Sequence, residues 1–140
     1  MGAWGIATFE DDSNLDWLCD LEDEDKPLGF LKECLDLKGI DELDYMSCTG
    51  VLCAAVMIDA ILNGATKDLP QSAIVWLENN KKLKVQKLLP NAIGGLERIL
   101  GDKSEMNETW AEEPEHYSKW KKHVNGIKKR LCQSLEASRE

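Results

Sequence analysis

The sequence is short of basic residues and lacks the motifs that many enzyme families carry. Its 17 lysines and arginines stand against 26 aspartates and glutamates, which gives a formal net charge of -9. DNA and anionic membranes attract the opposite sign, so we expect no binding to nucleic acid or to membrane surfaces. The sequence contains no Cys-x-x-Cys, His-Glu-x-x-His, Gly-x-Ser-x-Gly or phosphate-binding glycine motif. Zinc-protease, serine-hydrolase and nucleotide-hydrolase chemistry therefore have no support.

Long apolar runs and secretory features are also lacking. The longest strongly apolar stretch, residues 51–62, is interrupted by Asp59 and is shorter than the ~20 residues that span a bilayer. Residues 1–9 contain neither the basic segment nor the apolar run of a secretory signal. The five cysteines are odd in number and scattered, which favours reduced thiols. We expect a cytoplasmic protein with no transmembrane helix.

Alternation of apolar and polar residues, which marks half-buried strands, is not found, whereas steps of three and four are frequent. The longest such stripe consists of Tyr117, Trp120, Val124, Ile127, Leu131 and Leu135, after a proline suited to a first helical turn. Shorter stripes follow Pro27 and precede Gly101, and the apolar run 51–62 reads as a buried helix. We predict an all-α fold, in which residues 1–140 form a single compact bundle of about six helices with an ordered non-helical N-terminal segment.

The course of the chain around Pro90 has two possible interpretations. A helix begins near Leu89, or a longer helix from about Leu83 is kinked at the proline. The sequence leaves both open.

Charge is distributed unevenly along the chain. Residues 1–44 carry a net charge of -11, whereas residues 81–103 and 121–140 each carry +4. Three kinds of cation could compensate the acidic third: the basic segments of the same chain, a basic partner, or a metal. Compensation within the chain is the simplest of these explanations, because surface charges of both signs usually do no more than interact with solvent and keep a fold soluble.

One row of carboxylates is predicted within this acidic third. A helix from Asp12 or Ser13 to Glu22 would place Asp12, Asp16 and Asp20 four residues apart and hence on one face. Like charges at this spacing repel by ~0.2 to 0.5 kcal/mol per pair. We call these three residues the acidic row and predict that they form a binding surface.

Aromatic residues are concentrated at the N-terminus, where Trp4, Phe9 and Trp17 lie within 17 residues. They are expected to close one end of the helical core. Alternatively, Trp4 and Phe9 wall a pocket whose polar residues are Glu10, Asp11 and Asp12.

Asp59 is the one carboxylate in the apolar run, and a buried carboxylate must be paired or hydrogen-bonded. Arg98 is the predicted partner by residue type. Asp59 therefore has two interpretations: it forms a structural ion pair, or it binds a ligand. His116 and His123 lie seven residues apart on the edge of the last apolar stripe, and they are expected to be solvated rather than metal-bound.

The N-terminal block Met1-Gly2-Ala3-Trp4-Gly5, Phe9-Glu10-Asp11-Asp12 and Asp16-Trp17-Leu18 resembles a bacterial family catalogued as domain of unknown function 4259. A second block resembles it too: Leu96-Glu97-Arg98-Ile99-Leu100, Ser104-Glu105-Met106 and Trp110. The resemblance implies a bacterial cytosolic helical protein and supplies no catalytic residues. It also implies a carboxylate in the small-residue helix, for which Asp59 is the candidate.

The absence of a catalytic constellation and the acidic N-terminal third favour a non-enzymatic protein-interaction module. Its acidic face would bind a basic protein partner, and no cofactor is expected. The alternative is a small carboxylate-based metal-binding protein or hydrolase that uses Glu10, Asp11, Asp12, Asp16 or Asp59. A mimic of nucleic-acid charge is a third reading, which needs the carboxylates to be free of the chain's own lysines. The sequence does not fix the oligomeric state.

Overall fold

The computed structural model describes residues 7–138, and within this range the chain is helical with no strand. The all-α prediction is therefore confirmed. The described part contains seven α-helices, one more than about six: α1 (Asp12–Glu22), α2 (Pro27–Cys34), α3 (Tyr45–Asn63), α4 (Gln71–Asn79), α5 (Leu89–Ile99), α6 (Glu105–Ala111) and α7 (Pro114–Ser138). A 3₁₀ turn, Gln86–Leu88, precedes α5.

Helix α3 is the centre of the bundle and packs against the other six α-helices. Asp44 caps its N-terminus by accepting a hydrogen bond of 2.8 Å from the backbone N–H of Ser47. The helix ends at Gly64, whose φ of 95° lies in the left-handed region that favours glycine. Between Cys48 and Ala60 only Gly50 and Val56 are not buried. This explains why the run is apolar on all sides.

Helix α3 also has 19 residues, so by length and composition it could cross a membrane. The apolar run 51–62 is shorter than the helix, because α3 is capped by Asp44 and begins six residues before the run. Of the most apolar 18 residues of α3, 61% are buried inside the bundle. Burial among the other helices accounts for the apolar composition of α3. The expectation that the apolar run is too short to span a bilayer does not hold for the length of the whole helix.

The two interpretations of Pro90 are resolved in favour of the shorter helix. Helix α5 begins at Leu89, and Pro90 occupies its first turn, where a missing N–H interrupts no helical hydrogen bond. Helix α5 then packs closely on α3, because Gly95 faces Val51 with no side chain between them.

The predicted stripe of the last helix is confirmed in α7. Trp120, Val124, Ile127 and Leu131 are buried, and α7 packs against α3, α5 and α6. The rings of Trp120 and Trp110 stack with their centroids 5.7 Å apart, which fixes α6 against α7.

Helix α1 has the predicted bounds. Its inner face buries Trp17, Leu18 and Leu21, and residues 7–10 before it form a turn flanked by bends rather than helix. Phe9 in this segment is 5% exposed and belongs to the core. Trp4, which the sequence places beside it, lies outside the described residues.

Candidate functional site

The acidic row lies on the outer face of α1. Asp12, Asp16 and Asp20 are all exposed, opposite the buried Trp17 and Leu21. Within residues 7–138, no lysine or arginine nitrogen forms an ion pair with any of the three. The row is therefore open to solvent and uncompensated by the described part of the chain.

The basic residues of α7 make their ion pairs elsewhere. The Nζ atom of Lys128 lies 3.4 Å from Oε1 of Glu97 on α5, and Nε of Arg130 lies 2.8 Å from Oδ2 of Asp59 on α3. The expectation that basic segments of the same chain neutralise the acidic row is not met among these residues.

Glu10 and Asp11, which the sequence grouped with Asp12, are engaged within the fold. Asp11 is 4% exposed and caps α1. Its Oδ1 accepts from the backbone N–H of Ser13 at 2.8 Å, and its Oδ2 accepts from the hydroxyl of Tyr45 at 2.9 Å. Glu10 is half-buried and accepts a hydrogen bond of 3.3 Å from the backbone N–H of Ala7. Both carboxylates serve local structure rather than the exposed face.

A cavity of about 190 Å³ opens between the N-terminal segment, the end of α3, the following loop and the middle of α7. Its apolar wall includes Phe9, Val56 and Ile127. The polar lining consists of Thr8, Asp59, Thr66, Asp68, His123 and Arg130. Two of the predicted site residues, Phe9 and Asp59, therefore meet in one cavity.

Asp59 is paired with Arg130, and the sequence-based assignment of Arg98 is wrong. The Asp59 side chain is 6% exposed; its Oδ2 accepts from Nε of Arg130 and its Oδ1 accepts from Nδ2 of Asn63, both at 2.8 Å. Arg98 instead donates to the backbone carbonyls of Ile40 and Asp41. Residue type alone pointed to an arginine, but only the packing of α3 on α7 selects which one.

The residue that sequence reasoning missed is His123. It was expected to be solvated, yet it is half-buried and its Nε2 is hydrogen-bonded to Oγ1 of Thr8 at 2.9 Å. Burial lowers the pKa of His123; Asp68 opposes this shift and Arg130 adds to it. Its place between Trp120 and Ile127 on the edge of the apolar stripe was the available signal. His116 is exposed.

Three of the cysteines are unsuited to act as nucleophiles. Burial raises the pKa of the Cys34, Cys48 and Cys53 thiols, so they remain protonated at neutral pH. Across residues 7–138, no group of three or more His, Cys, Asp or Glu side chains is placed to hold a metal ion.

Comparison with known proteins identifies one family. The sequence model of the family described as "Domain of unknown function (DUF4259)" matches residues 2–123. No curated protein and no solved structure matches the chain.

Proposed function

The chain belongs to the DUF4259 family, and we propose that it is a non-enzymatic interaction module whose acidic row binds a basic protein. The observation that carries the proposal is that Asp12, Asp16 and Asp20 are exposed and unpaired by the described residues. Within residues 7–138, neither burial nor an ion pair accounts for the three carboxylates on this face.

The row is unfavourable for the free protein. Carboxylates four residues apart on a helix repel each other by ~0.2 to 0.5 kcal/mol per pair. The helix dipole favours Asp12 in the first turn, but it disfavours Asp20 near the C-terminal end of α1, where no basic residue is present. A basic partner would remove both penalties, which is a physical reason for keeping the charges exposed.

Acidic residues continue beyond the row. The buried Leu21 separates the row from four consecutive exposed acids, Glu22, Asp23, Glu24 and Asp25. A continuous negative surface attracts a basic protein over several ångströms and accelerates association, and salt screens this attraction. The partner should therefore bind fast at low ionic strength and dissociate as salt is added.

The alternative function, a carboxylate-based metal-binding protein or hydrolase, has less support. Asp11 is occupied by capping and by Tyr45, and Asp59 is occupied by Arg130 and Asn63. These contacts engage two of the five proposed carboxylates in hydrogen bonds within the fold.

The experiment compares two double variants with equal loss of negative charge. Asp16→Asn with Asp20→Asn removes two carboxylates of the acidic row. Asp102→Asn with Glu136→Gln removes two exposed carboxylates elsewhere. Each protein is immobilised and exposed to a lysate of the source cells, and bound proteins are identified after elution with increasing salt.

We expect a basic protein to bind the wild type and the Asp102→Asn/Glu136→Gln control, and to be lost from Asp16→Asn/Asp20→Asn. The last variant should also unfold at a slightly higher denaturant concentration than the wild type, because both repulsive pairs of the row are gone. Equal retention of the same partner by both double variants would contradict the proposal. Equal loss from both would show that only the net charge matters.

A further inference from the structure

The cavity beside α7 has the size of a small-molecule site. Its volume is about 190 Å³, and an apolar cavity of about 150 Å³ is sufficient to hold benzene. A ligand of roughly that size or slightly larger would therefore fill it. Its walls come from four parts of the fold, so a ligand here would contact the N-terminal segment, α3, the loop after α3 and α7 together.

The cavity wall holds unused hydrogen-bonding capacity. Arg130 uses only Nε in its bond to Asp59, and within residues 7–138 its two terminal nitrogens donate no hydrogen bond. The guanidinium lies beside Gly126, four residues earlier on α7. The terminal nitrogens are a planar pair of donors, which matches a carboxylate.

A second carboxylate lines the cavity together with His123. Asp68 is exposed at the cavity rim, and among the described residues its side chain accepts a hydrogen bond only from the hydroxyl of Thr66. It forms no ion pair with this part of the chain. Asp68 and Arg130 thus offer a carboxylate that has no ion pair among the described residues and an incompletely used donor in one small cavity.

The balance of charge selects the ligand class. Asp59, Asp68 and Arg130 give the lining a formal charge of one negative unit when His123 is neutral. A simple anion would be repelled by Asp68, because Arg130 already offsets the charge of Asp59, and a simple amine would leave the Arg130 donors to water. A zwitterion satisfies both groups, and Phe9, Val56 and Ile127 provide an apolar wall for its side chain.

We propose that this cavity binds a free α-amino acid with a small apolar side chain. Its carboxylate accepts from the terminal nitrogens of Arg130, and its ammonium group donates to Asp68. The site is separate from the acidic row, so it stands or falls independently of the interaction function.

The ligand class is tested by calorimetric titration of the full chain with three probes that share one apolar body. Valine carries both charges, 3-methylbutanoate carries only the carboxylate, and isobutylamine carries only the ammonium group. N-acetylvaline and valine amide report whether a peptide end binds instead of a free amino acid. We expect valine to bind with one site per chain and the other four to bind roughly 10-fold more weakly or worse, since each loses a charge-assisted contact.

The residues are tested by Asp68→Asn, with Lys67→Gln as the matched control. Both positions are exposed in the same loop, but only Asp68 lines the cavity. Asp68→Asn should weaken valine binding roughly 10-fold and leave the melting temperature unchanged, whereas Lys67→Gln should bind valine like the wild type. Arg130→Gln should also weaken binding, and if that variant does not fold, Asp68→Asn and the probe series still decide. The proposal is overturned if valine does not bind at millimolar concentration, if a singly charged probe binds as tightly, or if Asp68→Asn binds valine unchanged.

Discussion

The hydroxyl of Tyr45 donates a hydrogen bond of 2.9 Å to Oδ2 of Asp11. This bond joins the first residue of α3 to the N-cap of α1. Asp11 is 4% exposed, and its other oxygen already accepts from the backbone N–H groups of Ser13 and Asn14. Burial first, and the charge of Asp11 second, raise the pKa of Tyr45, so the phenol stays protonated as the donor.

Tyr45→Phe should therefore destabilise the protein. Removing the hydroxyl leaves Oδ2 of a buried carboxylate without its partner, at a cost of about 1 to 3 kcal/mol in the free energy of unfolding. Tyr117→Phe is the matched control, because its hydroxyl donates at 2.7 Å to the neutral amide oxygen of Asn107. Denaturant unfolding should show the smaller loss for Tyr117→Phe. A loss at Tyr45 no greater than at Tyr117 would contradict this account of Asp11.

The contact between α3 and α5 predicts opposite effects at two neighbouring glycines. A Cβ atom on Gly95 would lie 2.6 Å from Cγ1 of Val51, whereas a Cβ atom on Gly94 would meet nothing within 4 Å. Gly95→Ala should destabilise by about 1 to 3 kcal/mol, because the stiff, fully buried Val51 must move. Gly94→Ala should stabilise by roughly 0.5 to 1 kcal/mol, because alanine is the better helix former.

Thermal unfolding of both variants measures this difference. Adding Val51→Ala to Gly95→Ala should remove the clash, so the double variant should be more stable than the sum of the two single effects predicts. If the effects of Gly95→Ala and Val51→Ala are strictly additive, α3 and α5 can move apart freely, and close packing does not require a glycine at position 95.

Much of the fold follows from local sequence signals. Helix α1 has its predicted bounds because Asp11 caps it and Trp17, Leu18 and Leu21 supply one inner face. The stripe of α7 is equally local. The sequence does not show where α3 starts, because Asp44 and Tyr45 neither interrupt nor end an apolar stripe. The N-cap is recognised in the structure, where the backbone N–H of Ser47 donates to Asp44.

The candidate sites were less predictable because they depend on contacts between distant segments. Asp59 and Arg130 lie 71 positions apart, and Thr8 and His123 lie 115 apart. Sequence spacing identified Asp59 as a group in need of a partner, but it could not distinguish Arg98 from Arg130. The acidic row was predictable in placement because its three residues share one helix.

The ion pair between Asp59 and Arg130 can be tested by two double-mutant cycles. Arg130→Gln should destabilise by about 1 to 3 kcal/mol because Oδ2 of a nearly buried carboxylate loses its donor, with the lower end favoured since the Arg130 side chain is 42% exposed. Combined with Asp59→Asn, the two changes should be non-additive. Arg98→Gln combined with Asp59→Asn should be additive within about 0.5 kcal/mol, since Arg98 contacts backbone elsewhere. Lys129→Gln, at an exposed position beside Arg130, controls for loss of a charge on α7. Coupling of Asp59 to Arg98 rather than to Arg130 would refute the ion pair described here.

His123 predicts how stability depends on pH. Burial holds its pKa in the folded protein below the ordinary value of 6.5, against the opposing influence of Asp68 and Glu10 and with the support of Arg130. As pH falls below 6.5, the unfolded chain therefore takes up a proton at His123 that the folded chain does not. The free energy of unfolding should decrease through this interval, and this contribution should level off below the pKa of the folded state.

In His123→Gln the side chain does not titrate, so its free energy of unfolding should fall less between pH 7.5 and 5.5 than that of the wild type, an interval of roughly one unit on either side of an ordinary histidine pKa. Urea unfolding at several pH values measures the difference between the two curves. His116→Gln removes the exposed histidine of the same helix, and it must not reproduce that difference if burial of His123 is the cause. Parallel curves for the wild type and His123→Gln would mean that His123 takes up protons equally in the folded and unfolded chains. Burial of the His123 ring against Thr8 would then have no effect on the free energy of unfolding. The neutral form of His123 could also not be assumed when the charges of the cavity are added.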